Sequence, residues 1–103
     1  MKKNNQNLKV SIICPIFNAD NYICHTINSI INQTYQNFEI IIIDGGSSDS
    51  TLSLLEGYKN NIKSLISEPD NGMYDALVKG FKLATGDIMC YLNAGDFLYP
   101  HAF

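Results

Sequence analysis

The chain has 103 residues, 46% hydrophobic and 17% charged, which excludes wholesale disorder and fits one domain with a core of its own. A net charge of −3 excludes the basic footprint of a nucleic-acid binder and a polybasic membrane patch. Cys14, Cys24 and Cys90 form no C-x-x-C pair and read as reduced, buried small hydrophobes of a cytosolic protein.

Residues 1–7 are polar and Asn-rich and read as a flexible terminus, with no signal-peptide pattern. No stretch approaches the roughly 18 apolar residues of a membrane span. Residues 8–14 are β-branched and apolar and predict the first strand, ended by Pro15. Ile23, Ile27, Ile30 and Ile31 fall on one face of a helix, with Asn18 and Asp20 as N-cap candidates. Residues 38–43, FEIIII, form a nearly continuous apolar run, as in a strand covered on both faces.

Asp44-Gly45-Gly46-Ser47-Ser48-Asp49 then breaks the pattern. Asp49 reads as a helix-start residue favoured by the helix dipole. A second helix is expected over 50–59, with Leu52 and Leu55 inward and Gly57 weakening it. Residues 62–67 predict a weaker third strand, and 68–72 a loop. Tyr74, Leu77, Val78, Phe81 and Ala84 mark the inner face of a third helix, with Gly86 as its stop. Tyr74, at the helix start, also stands beside the loop at 68–72. Residues 87–92 predict a fourth strand, and 93–96 another break. The order βαβαβαβ implies an α/β fold: a mostly parallel sheet with flanking helices.

Ligands of open α/β sheets sit outside the carboxyl ends of the strands. The unusual polar residues follow that rule: 15–18, 44–49, 68–71 and 93–96 each follow a strand, so all four groups are expected at one edge. Each also has a plain alternative. Asn18 and Asp20 fit helix caps, Asp44 with its glycines fits a tight turn, and Asp70, Asn71 and Asp96 fit turn formers. Strand-end carboxylates suit a base N–H, a ribose hydroxyl, or a hard cation bridging phosphates. The sequence has no P-loop, and no G-x-G-x-x-G follows the first strand, which counts against P-loop and dinucleotide enzymes. His25 and His101 read as surface residues.

The stretch VSIICPIFNADNYICHTINSIINQTYQNFEIIIIDGGSSDST resembles the opening of family 2 glycosyltransferases. SEPDNGMYDALVKGFKLATGDIMCYLNAGD resembles a branch of that family associated with surface polysaccharide assembly. The resemblance covers residues 9–96 and implies the GT-A fold, whose nucleotide-binding half is Rossmann-like. It implies a nucleotide-diphosphate sugar donor, Mg²⁺ or Mn²⁺, and inverting, hexosyltransferase-like transfer to a saccharide or lipid-linked acceptor hydroxyl. By the same resemblance Pro15, Phe17 and Asn18 line the nucleotide pocket, Asp44 contacts the base or supports its loop, and Asp70, Asn71 and Gly72 lie near the donor.

This sequence departs from the family pattern. Gly45 stands where the family often has a base-facing Asp. Asn93-Ala94-Gly95-Asp96 stands where D-A-D-D is usual, which leaves Asn93 for ribose and Asp96 for the metal. Family domains usually continue further, so 8–103 is expected to be a truncated domain, with the general base absent from the chain. That absence keeps a second class open, a non-catalytic module that binds nucleotide or protein. A third reading, a receiver-type signalling domain, is disfavoured, because no acidic pair follows Cys14 and no lysine follows Lys82. The expected location is cytoplasmic, peripheral at the inner face of the membrane, and an exposed sheet edge would favour self-association.

Overall fold

The structure is a computed structural model and describes residues 8–92. The expectations for residues 1–7, Asn93, Asp96 and His101 lie outside the described residues.

Four strands form one parallel sheet in the order β3-β2-β1-β4. They are β1 (Val10–Ile16), β2 (Phe38–Asp44), β3 (Ser64–Ser67) and β4 (Ile88–Tyr91), joined by α1 (Ile23–Ile31), α2 (Thr51–Glu56) and α3 (Met73–Leu83). The expected α/β alternation is therefore the observed one. β1 and β2 are central and pair from Val10↔Phe38 to Ile16↔Asp44. Both faces of these two strands are covered, so the near-continuous isoleucine runs find apolar partners above and below.

Side chains alternate across the sheet and split the core in two. On one face Ile12, Cys14, Ile40 and Ile42 pack with Ile23, Ile27 and Ile30 of α1 and Leu55 of α2. On the other, Ile13, Ile41 and Ile43 pack with Ala76 of α3, joined by Leu77 and Ala84.

Pro15 does not end β1. It lies within the strand, opposite Ile43. Ile16 O accepts from Gly45 N on the β2 side, and Ile13 O accepts from Leu92 N on the β4 side. Backbone groups alternate, so the N–H that Pro15 lacks would point toward β4, one step beyond the Ile13–Leu92 bond. The proline thus limits the β4 ladder and leaves the β2 ladder intact.

The inner face of α3 also differs from expectation. Tyr74 is 82% exposed and Phe81 43%, while Ala76 and Gly80 are the buried positions. A Cβ on Gly80 would stand 2.4 Å from Ile13 Cγ2, so the helix lies against β1 at a distance only glycine permits. A periodicity reading that weights large residues misses a face built of small ones.

Other boundaries are shorter than expected. α2 stops at Glu56, with Gly57 at its C-cap, and β3 begins at Ser64. α3 stops at Leu83, and Gly86 lies beyond it, donating its amide to Ser11 Oγ at 2.8 Å. Cys14 is fully buried, but Cys24 and Cys90 are half-buried, and all three are free. Cys90 sits on β4, the edge strand of the described sheet, where Ile88, Met89 and Tyr91 are exposed. His25 is exposed, as expected.

Candidate functional site

The loops after β1, β2 and β3 meet at the carboxyl end of the sheet. Asp44, the last residue of β2, is fully buried and organises them. Its carboxylate accepts from Gly46 N at 3.1 Å, Ser47 N at 2.9 Å and Ser67 Oγ at 2.8 Å, and from the Ser47 hydroxyl. One side chain therefore closes the turn after β2 and ties it to the end of β3. Gly46 sits at φ 93, a left-handed conformation that glycine adopts without steric cost.

Asn18 and Asp20 are not helix caps. The N-cap position of α1 is Tyr22, with no side-chain cap. Asn18, at φ 48, instead joins the first loop to the second: its amide donates to Ser47 Oγ at 2.8 Å and its Oδ1 accepts from Ser48 N at 2.9 Å. Ala19 N donates to Thr51 Oγ1 at 2.8 Å, and Asp20 Oδ2 accepts from Ser50 N at 3.3 Å. Asp49 does stand at the start of α2, where its carboxylate accepts from Thr51 N at 2.9 Å. The two loops are locked together before any ligand arrives.

The third loop is fixed from α3. Lys79 Nζ lies 3.0 Å from Glu68 Oε1 and 3.3 Å from Asp75 Oδ2, and Asp75 Oδ2 accepts from Asn71 N at 3.1 Å. The Asn71 amide and Lys79 hold the Asp75 carboxyl below its usual range, and the ion pair with Glu68 raises the Lys79 ammonium.

Between these loops and the first turn of α3 opens a cleft of about 630 Å³. Pro15, Ile16, Phe17, Gly45, Asp70, Gly72, Met73 and Ala76 line it. Five of the sequence candidates, Pro15, Phe17, Gly45, Asp70 and Gly72, thus meet in one space. Asn18 and Asp44 stand behind it as loop supports, and Asn71 is exposed beside it. Sequence reasoning missed Ile16, Met73 and Ala76. Their signal lies in the topology, which brings the first turn of α3 over the end of β1.

At the opposite end of the sheet, Glu39 forms a second polar cluster that the sequence did not reveal. Its carboxylate accepts from Ser11 Oγ at 2.6 Å, Thr85 N at 2.7 Å and Thr85 Oγ1 at 2.9 Å, and pairs with Lys9 Nζ at 3.1 Å. This cluster pins the turn between α3 and β4 onto β1 and β2. It fixes where β4 starts, and so supports the site from below.

The chain matches Glycosyl transferase family 2 over residues 11–103. It belongs to that family. It is 37% identical over 101 residues to an uncharacterized glycosyltransferase of Rickettsia typhi, covering 98% of this chain and 31% of that protein. The chain therefore spans about a third of that relative's length. Among solved structures, S. aureus TarS 1-349 in complex with UDP-GlcNAc is similar at a TM-score of 0.79 and 26% identity, covering 87% of this chain and 27% of that 1-349 chain. The mannosyltransferase PcManGT from Pyrobaculum calidifontis, in complex with GDP-Man and Mn²⁺, is similar at a TM-score of 0.81 and 25% identity, covering 89% of this chain and 29% of that one. The GT-A likeness implied by the sequence thus extends to the fold.

Among the described residues, no group of three or more His, Cys, Asp or Glu side chains could hold a metal, and Asp70 is the carboxylate in the cleft lining. The described residues alone do not form a metal site. No described helix is long and apolar enough to cross a membrane.

Proposed function

We propose that this chain forms the donor-binding part of a glycosyltransferase that moves a sugar from a nucleotide-diphosphate sugar to an acceptor hydroxyl. The observation that carries the reading is the cleft at the strand ends, where Pro15, Phe17, Gly45 and Asp70 meet in a chain of glycosyl transferase family 2. Its loops are already hydrogen-bonded into place, so ligand binding does not have to order them. TarS and PcManGT, of similar fold, carry UDP-GlcNAc and GDP-Man.

Phe17, 60% exposed on the cleft wall, offers a flat apolar surface to a base. Gly72, where an added Cβ would meet nothing within 4 Å, allows close backbone approach. Asn93 is assigned to the ribose. In the inverting reaction the acceptor hydroxyl attacks the anomeric carbon as the diphosphate departs, and no described residue is proposed as the general base. The described cleft lining brings no lysine to the diphosphate. Mg²⁺ or Mn²⁺ would supply the missing positive charge, and Asp96 is the residue proposed to hold it. The acceptor is assigned to the saccharide or lipid-linked class used in surface polysaccharide assembly. The free thiols and this donor class support a cytoplasmic location, peripheral to the inner face of the membrane.

Calorimetric titration of the 103-residue chain with UDP-, GDP- and CDP-sugars, with and without Mn²⁺, tests the reading. One nucleotide sugar is expected to bind, more tightly with metal. Folded protein that binds none of them would sink it.

A further inference from the structure

Gly45 and Asp70 share one piece of space. A Cβ built on Gly45 would stand 3.0 Å from Asp70 Oδ2, with Cγ and Oδ1 both at 3.3 Å. The Asp70 carboxylate therefore lies where a side chain at position 45 would begin. Its backbone comes from the loop after β3, and its carboxylate reaches over the turn after β2.

The carboxylate is held but not saturated. Gly72 N donates to Oδ1 at 3.0 Å, which fixes the rotamer. Among the described residues no other hydrogen bond reaches this carboxylate, and no lysine forms an ion pair with it. Oδ2 is left as an acceptor in the cleft lining, half-buried, in the same cleft as the exposed ring of Phe17.

The chemistry of such a pair is specific. An aromatic face takes a flat ring by stacking, and a fixed anionic oxygen takes an N–H on the edge of that ring. A carboxylate repels phosphate, so this corner of the cleft suits the uncharged end of a nucleotide. Uracil and guanine both carry a ring N–H, at N3 and N1 respectively, on their pairing edge.

We propose that Asp70 is the specificity-determining residue for the base of the donor, accepting the ring N–H of uracil or guanine through Oδ2. This rests on the donor-site reading above and deepens it. Gly45 is the permissive partner, since a Cβ there would stand 3.0 Å from Oδ2 and crowd the carboxylate out of its present position by a few tenths of an ångström.

The test uses the 103-residue chain and measures binding of UDP and GDP, each against its ring-N-methylated analogue, N3-methyl-UDP or N1-methyl-GDP. The wild-type chain is expected to bind the preferred nucleotide roughly ten- to a hundred-fold more tightly than its methylated form, as one charge-assisted hydrogen bond allows. Asp70→Ala should bind both forms alike. Gly45→Ala removes no polar group, yet should also lose the discrimination, while circular dichroism reports whether each variant is folded. Equal binding of the parent and methylated nucleotides by the wild-type chain would overturn the assignment and leave the donor site standing. Asp70→Ala that keeps the discrimination but loses any Mn²⁺ dependence would overturn it in favour of a metal ligand. Failure of every nucleotide to bind would overturn the donor-site reading itself, and this assignment with it.

Discussion

The Asp44 carboxylate accepts the Ser67 hydroxyl at 2.8 Å, which ties the end of a central strand to the end of an edge strand. The same group closes the turn at Gly46 and Ser47. Removing it empties a buried position and leaves several part-buried donors without their shared acceptor. Asp44→Ala is expected to destabilise the chain by roughly 3 kcal/mol in urea unfolding, at the upper end of the cost of breaking hydrogen bonds to a charged group. If Asp44 instead served only as a ligand contact, the unfolding midpoint would stay where it is.

Glu39 predicts how the fold responds to acid. Burial pushes its pKa up, but hydrogen bonds from the Ser11 hydroxyl, the Thr85 amide, Lys9 and the Thr85 hydroxyl outweigh burial and hold it at about 2, against an ordinary 4.5. A depressed carboxylate contributes stability above its unfolded pKa and loses that contribution as pH falls through its folded value. The contribution is thus complete above pH 4.5 and lost toward pH 2. Glu39→Gln should cost roughly 2 kcal/mol at neutral pH. It should also flatten the acid limb of a stability-versus-pH curve, and an unchanged limb would refute the role of this carboxylate.

The close contact of Gly80 with Ile13 makes a third expectation. A methyl group at position 80 would meet Ile13 Cγ2 at 2.4 Å, so either the side chain or the helix must shift. Gly80→Ala gains helix propensity but overpacks the core, and a net loss of about 1–2 kcal/mol is expected. Gly80→Ala combined with Ile13→Val should recover part of it. A stabilised single variant would mean that α3 can move off the sheet freely.

Much of this could be read in the sequence, and the misses share a cause. The isoleucine runs at 38–43 and the spacing of Ile23, Ile27 and Ile30 are local signals, and local signals placed strands and helix correctly. Pro15, Tyr74, Phe81 and Asn18 were misjudged because their roles are set by partners distant in the chain. Pro15 is tolerated because its missing N–H falls beyond the described β4 ladder, and Tyr74 is exposed while Ala76 and Gly80 face the sheet. Asn18 fitted either a cap or a ligand contact; the cap alternative fails, because its side chain binds a loop 30 positions away. The cleft candidates fared better, since the carboxyl ends of parallel strands converge whatever the side chains.

Cys14 should be chemically silent. Burial, and then its neighbour Cys90, push its thiol up to about 12, so thiolate is scarce at neutral pH. Mass mapping after reaction with a thiol reagent is expected to find Cys14 unmodified in the native chain and modified after unfolding in urea. Native labelling of Cys14 at the rate of a free thiol would contradict its burial in the core between the sheet and α1.

Phe17 separates binding from folding. It lines the cleft, and its ring is 60% exposed, so it contributes little to the core. Surface substitutions of this kind leave stability within about 0.5 kcal/mol. Base stacking on an aromatic side chain is worth about 1–3 kcal/mol, roughly five- to a hundred-fold in affinity. Phe17→Ala is therefore expected to keep the wild-type unfolding midpoint and to weaken nucleotide binding by that factor, with Phe17→Tyr close to wild type in both. Loss of stability in Phe17→Ala would place the ring in the core. Unchanged affinity would move the base to another wall of the cleft, away from the ring but still within reach of Asp70.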